Sequence, residues 1–214
     1  MSLRRRLRVA RIAAEARDVM SIELVDPTGA PLPPFEPGAH VTLHLPPGIE
    51  RQYSLVNDWR ERHRYVLGGG RAAASRGGSE WIHGSLRLGA ELACNEPTNN
   101  FRLVPHAPRY LFIAGGIGIT PLLSMVRWCE AHGRDWKLLY AARSRLRLAF
   151  YEELRAFAGR VRLHCDDEQG GPLDVRGILQ DVEPGTHVYC CGPAPLMEQV
   201  QAHGAHLGAH ALHF

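Results

Sequence analysis

Ala114-Gly115-Gly116-Ile117-Gly118-Ile119-Thr120-Pro121 is the stretch on which the reading of this chain turns. It completes the unbroken apolar run Tyr110 to Ala114, the pattern of a parallel strand buried on both faces. It also opens a segment, Thr120 to His132, with helix signals at both ends. Thr120 stands as N-cap, Pro121 at the first helical position and Gly133 just past the end. Glycines between a buried strand and a helix let backbone N–H groups approach an anion, and the helix N-terminus adds partial positive charge. A pyrophosphate fits such a turn, although a tight turn with no ligand carries the same local signature.

Downstream, strand and helix patterns alternate. Trp136 to Ala141, Val161 to His164 and His187 to Cys191 read as strands; Ala149 to Phe157, Arg176 to Gln180 and Ala194 to His203 read as helices. This alternation predicts right-handed crossovers in a parallel α/β sheet. Cys190-Cys191-Gly192-Pro193 closes one of those strands, and ligands in such sheets bind outside the carboxyl ends. Cys191 is therefore a candidate to touch a planar ligand, or simply a small buried hydrophobe. It is no redox partner of Cys190, because neighbours on a strand point to opposite faces.

Upstream, Leu7 to Ile12, Ser21 to Val25, His40 to Leu45 and Arg64 to Leu67 read as short strands, separated by Asp26-Pro27-Thr28-Gly29, Pro33-Pro34 and Pro46-Pro47-Gly48. They predict a small antiparallel β-barrel. The composition changes at Pro105-His106-Ala107-Pro108, dividing the chain into a barrel domain over 1–104 and an α/β domain over 105–214. Two further groups lie in the barrel half. In Arg51-Gln52-Tyr53-Ser54-Leu55, an Arg can hold a phosphate, an aromatic can stack on a planar ring, and a hydroxyl can bond a ring nitrogen. Arg76-Gly77-Gly78-Ser79 precedes a short helix over Ser79 to Leu86, with Ser79 as N-cap, and makes a second anion-binding turn or a plain cap.

Composition narrows the function classes. The 214 residues are 45% apolar and 22% charged, enough for a core. Net charge is +3, 24 of the 25 basic residues are Arg, and no basic run exceeds Arg4-Arg5-Arg6, so a nucleic-acid surface is not expected. No apolar stretch approaches the ~20 residues that span a bilayer, and no secretory h-region follows Met1. Five cysteines without metal-type spacing predict a reducing cytoplasm and no iron–sulfur cluster held by this chain. His203, His206, His210 and His213 invite a metal reading, but Gly204 and Gly208 break the helix that would align them, and no metal site is assigned.

Taken in order, Phe35-x-Pro37-Gly38-x-His40, Arg51-x-Tyr53-Ser54-Leu55, Arg76-Gly77-Gly78-Ser79, the Ala114 to Pro121 segment, Phe150-x-x-Glu153-Leu154, Cys191-Gly192-Pro193 and His213-Phe214 span nearly the whole chain. Together they resemble the phthalate dioxygenase reductase and vanillate demethylase reductase family of the ferredoxin–NADP reductase superfamily. The resemblance implies an FMN-binding barrel, a nucleotide domain fed by NADH or NADPH, and usually a third, [2Fe–2S] domain. The expected activity is hydride transfer from NAD(P)H to FMN, followed by one-electron delivery to an iron–sulfur protein or oxygenase component. The sequence stops about where the third domain would begin, so the expected acceptor is either such a domain removed from this chain or a separate iron–sulfur subunit.

By the same resemblance, Arg51 contacts the flavin phosphate, Tyr53 packs on the isoalloxazine and Ser54 bonds near N5. Gly77, Gly78 and Ser79 join Arg51 at the phosphate. Gly115, Gly116, Gly118 and Thr120 face the nucleotide, Cys191 with Gly192 and Pro193 lies beside the nicotinamide, and Phe214 shields the flavin. Ser54 and Cys191 are the residues nearest the chemistry. Two departures stand out: Thr98 replaces an Arg of the family's Pro-Arg-Asn-x-Phe segment, and Gly68-Gly69-Gly70 replaces larger strand residues. Arg143-Ser144-Arg145-Leu146-Arg147, after the second α/β strand, lacks the acid that favours a ribose 2′-hydroxyl, yet Arg143 also matches NADH-using relatives. A stand-alone flavin or ferric reductase, and a non-catalytic assembly subunit of the same fold, are the alternative readings.

Overall fold

The computed structural model describes residues 4–46, 48–71, 75 and 77–214. Pro47 and Arg76, each part of a motif above, lie outside the described residues. The N-terminal part contains β1 (Arg4–Ala16), β2 (Val19–Val25), β3 (His40–Leu45), β4 (Ile49–Ser54), β5 (Tyr65–Gly70), helix α1 (Gly78–Ser85) and β6 (Glu91–Asn95). The strands form one antiparallel sheet in the order β4-β3-β6-β1-β2-β5. Alternation decides which side chains go inward: Val41, Leu43 and Leu45 of β3 are buried with Leu7, Ile22, Leu24, Leu67 and Leu92. The sheet curls until its two outer strands meet. Leu55, just past β4, bridges Leu67 of β5, and the Val56 amide donates to the Val66 carbonyl at 2.9 Å. This closure is the expected barrel.

The strand expected to end at Leu67 runs on through Gly68, Gly69 and Gly70, which pair with Ser21, Met20 and Val19. Backbone hydrogen bonds to β2 hold them extended, which compensates for the weak intrinsic preference of glycine for a strand.

The C-terminal part contains β7 (Arg109–Gly115), α2 (Ile119–Ala131), β8 (Asp135–Ala142), α3 (Tyr151–Leu154), β9 (Val161–Cys165), α4 (Asp166–Gln169), α5 (Val175–Gln180), β10 (Thr186–Cys191), α6 (Ala194–His203) and β11 (Leu212–His213). All five strands are parallel, in the order β11-β10-β7-β8-β9. β7 is buried on both faces. Tyr110, Phe112 and Ala114 pack with residues of α2, while Leu111 and Ile113 pack with residues of α5 and α6. The chain builds outward from β7 through β8 to β9, then crosses back to place β10 on the other side of β7. The order therefore reverses between β7 and β10, the point at which doubly wound sheets bind ligands.

Three local expectations are corrected. A 3-10 turn over Gly116–Gly118 starts helical geometry early, so Gly118 is the N-cap of α2, and Thr120 lies inside the helix with its Oγ1 donating to the Ile117 carbonyl at 2.9 Å. The N-cap of α1 is Gly77, whose φ of +84° glycine adopts at least cost, and Ser79 is the second residue of the helix. The helix expected over Ala149 to Phe157 begins only at Tyr151, because Phe150 has a left-handed φ of +58°, and it tightens to a 3-10 turn at Arg155–Phe157. Asp166–Gln169, directly after β9, forms the four-residue helix α4. Residues 101–104 join the two parts: the Val104 amide donates to Tyr189 Oη at 2.8 Å, and Tyr110 Oη donates to the Val104 carbonyl at 2.6 Å.

Candidate active site between the two sheets

A cleft of about 1090 Å³ opens between the barrel and the carboxyl ends of β7 and β10. On the barrel side it is lined by Gln52, Tyr53 and Ser54 of β4, by Gly68 and Gly70 of β5, and by the β1–β2 turn at Arg17-Asp18. The facing wall carries Gly115, Gly116, Gly118, Thr120, Arg143, Cys191, Gly192 and Pro193. Two motifs nearly 140 residues apart in sequence thus share one space: Gln52 to Ser54 at one wall and Cys191 to Pro193 at the other.

The glycines of the β7–α2 turn divide into two roles. A Cβ on Gly118 would sit 2.1 Å from the Cys191 carbonyl oxygen, and one on Gly115 would sit 2.7 Å from Pro193 Cδ. Gly192 in turn approaches Gly115 so closely that its Cβ would meet Gly115 Cα at 2.9 Å. These three glycines let the two switch-point turns touch backbone to backbone. Gly116 differs. It has a φ of +54° and open space where a Cβ would be, so its bare backbone faces the room available to a ligand.

In the middle of β4, Arg51 lies across the start of α1. A Cβ on Gly78 would sit 2.5 Å from Arg51 Nε, and Arg51 Nη1 donates to the Glu50 carbonyl at 2.8 Å. The second and third sequence motifs therefore form one cationic corner, with a guanidinium beside the N-terminal turn of an eight-residue helix. Arg51 and Tyr53, two apart, share one face of β4, and Ser54 ends the strand. Arg51, Gly77, Gly78 and Ser79 lie outside the cleft lining itself, Arg51 being three residues from Ser54 along β4. Ser75 is a residue that sequence reasoning missed. Its Oγ accepts the Gly77 amide at 3.1 Å and the Ser79 hydroxyl at 3.0 Å, the capping work expected of Ser79. A hydroxyl two residues ahead of Gly-Gly was the available signal.

Burial raises the Cys191 thiol, which stays neutral at the cleft wall. Cys190 points to the opposite face, fully buried among Leu111, Ile113 and Val188 and pushed up to about 12 by that burial. Burial also raises the Tyr53 phenol against the opposing Arg51 charge. Phe214 is 46% exposed and is not among the cleft residues. Thr98 pairs with His40 backbone to backbone, and its Oγ1 lies 3.1 Å from His40 Nε2.

Residues 96–212 match the family described as dimethylamine monooxygenase subunit DmmA-like, N-terminal domain. The chain is 48% identical over 196 residues to phenoxybenzoate dioxygenase subunit beta of Ectopseudomonas oleovorans, covering 92% of this chain and 61% of that one. It is 40% identical over 213 residues to phthalate dioxygenase reductase of Burkholderia cepacia, covering 98% and 66%. A solved structure of a phthalate dioxygenase reductase superimposes with a TM-score of 0.94 at 40% identity, covering 99% of this chain and 67% of that one. The chain belongs to the phthalate dioxygenase reductase family. Its fold is the ferredoxin reductase-like pairing of an antiparallel barrel with a parallel sheet. The chain spans about 59–66% of the length of the curated relatives it matches. Among the described residues, no helix is long and apolar enough to cross a membrane.

Proposed function

We propose that this chain is the flavin- and nucleotide-binding part of a reductase that supplies electrons from NAD(P)H to the iron–sulfur partner of an oxygenase or demethylase. The observation that carries this reading is the sharing of one cleft by Tyr53-Ser54 and the switch-point turns. The donor set fits FMN. A guanidinium packed against a helix N-terminus suits its single phosphate, and the half-buried Tyr53 ring on the same strand face suits a flat aromatic ring system. When bound, the flavin supplies hydride acceptance from a reduced nicotinamide and one-electron release to a partner.

The protein's own residues would bind and orient. Arg51 with Gly77, Gly78 and Ser79 would hold the phosphate, Tyr53 would pack on the ring, and the Ser54 hydroxyl would donate toward its reactive edge. Gly115, Gly116, Gly118 and Thr120 would receive the dinucleotide, and Gly192 and Pro193 would fix the wall beside it. Cys191, neutral through burial, would place an uncharged thiol against the nicotinamide. Arg143 would stand near the adenosine ribose, and Phe214 would cover the flavin from the end of β11. On this reading residues 1–104 form the flavin domain and 105–214 the nucleotide domain. A cytoplasmic setting is supported by the five free cysteines.

Reconstitution tests the proposal. The purified chain mixed with FMN should come off a desalting column yellow, and anaerobic NADH or NADPH should bleach it. A colourless chain ends the proposal. Bleaching coupled to rapid turnover of free flavin, with no partner protein present, would move the assignment to a stand-alone flavin reductase.

A further inference from the structure

The cations after β8 are not equally available. The residues following the second strand of a dinucleotide fold are those that meet the adenosine ribose. Here they are Arg143, Arg145 and Arg147. Arg145 is held by both carboxylate oxygens of Glu168, at 2.9 and 3.0 Å. Arg147 reaches across the cleft to Asp18 of the barrel, at 3.1 Å. Arg143 makes no ion pair among the described residues and lines the cleft.

Asp18 is placed for this task by backbone geometry. It sits at the β1–β2 turn with a left-handed φ of +62°. The neighbouring Arg17 amide donates to the Leu146 carbonyl at 2.8 Å, and the Asp18 carbonyl accepts the Arg71 amide at 2.7 Å. The turn is therefore pinned to both walls, with the Asp18 and Arg147 side chains both at the cleft. A ribose 2′-phosphate arriving beside Arg147 would meet a guanidinium already paired and a carboxylate of its own sign. A 2′-hydroxyl meets neither obstacle.

We infer that Asp18, contributed by the barrel, is a specificity-determining residue: by occupying Arg147 it disfavours nucleotides carrying a 2′-phosphate. The inference rests on the nucleotide site proposed above and concerns its preference.

The test uses ADP and 2′,5′-ADP as probes, with titration calorimetry as the readout, so neither flavin nor turnover enters. Asp18→Asn suits the test because Asn tolerates left-handed backbone. It should bind 2′,5′-ADP roughly tenfold more tightly than the wild type, with ADP affinity unchanged within about twofold. Adding Arg147→Ala to Asp18→Asn should abolish the gain. Unchanged 2′,5′-ADP binding in Asp18→Asn, or a gain that survives Arg147→Ala, overturns the inference while ADP binding keeps the nucleotide site standing. A wild-type chain that binds neither probe overturns both.

Discussion

At the residue scale, the Gly115-Gly116-Ile117-Gly118 turn shows how one residue type serves two physical ends. Gly118→Ala drives a methyl group into the Cys191 carbonyl, a backbone atom that cannot swing aside. We expect a loss of about 3 kcal/mol, read as a lowered urea midpoint. Gly116→Ala meets no atom and carries only the cost of a left-handed φ, about 1 kcal/mol. The sequence presents these glycines as equivalent. The distinction becomes visible only when the Cys191-Gly192-Pro193 turn, more than 70 residues on, is brought against them. The same holds for Asp18, which no local pattern marks because its partner Arg147 comes from the other sheet.

At the scale of elements, strand and helix order was legible because hydrophobic period decides it. His40 to Leu45 and Ala194 to His203 occupy the residues that their patterns predicted. Helix starts were less legible. Thr120 and Ser79 have the chemistry of N-caps, but the 3-10 turn at Gly116 and the positive φ of Gly77 move both helix starts forward. The histidine pair joining β10 and β11 was also hidden. His187 Nδ1 lies 2.9 Å from His213 Nε2, and His213 stacks on Tyr189 with ring centroids 4.2 Å apart. Burial, aided by His187 and His210, lowers His213 to about 4 from an ordinary 6.5. Between those values the unfolded chain binds more protons than the folded one. The stabilisation is therefore complete above about pH 6.5 and is lost as pH falls through this window. His213→Phe keeps a ring on Tyr189 and removes the titration. Between pH 7 and pH 5 the wild type should lose about 1 kcal/mol more than this variant, measured by denaturation at both pH values.

At the scale of the whole molecule, the spacing between the two sheets rests on the absence of one side chain. A Cβ on Gly68 of β5 would lie 2.5 Å from Thr120 Cγ2 and 3.1 Å from Phe150 Cε2, both on the facing part. Gly68→Ala acts as a wedge. If the cleft aligns flavin with nicotinamide, FMN uptake and ADP binding should persist while the bleaching rate in stopped flow falls by up to about a hundredfold, the penalty of roughly an ångström of misplacement. From sequence alone the glycine run read as a departure from larger strand residues, because nothing local shows what lies above it. The cleft likewise could be named only motif by motif; its unity comes from the reversal of strand order between β7 and β10.

The direction of β11 has a consequence for whatever meets this protein. It runs alongside β10 in the same sense, with Leu212 level with Val188 and His213 with Tyr189. Extending that register puts Phe214 abreast of Cys190, one step of about 3.3 Å short of Cys191. The Phe214 ring, 46% exposed, thus stands beside the strand end that carries Cys191 to the cleft wall. On the proposed reading, an electron acceptor that docks over the opening would pack beside this exposed aromatic.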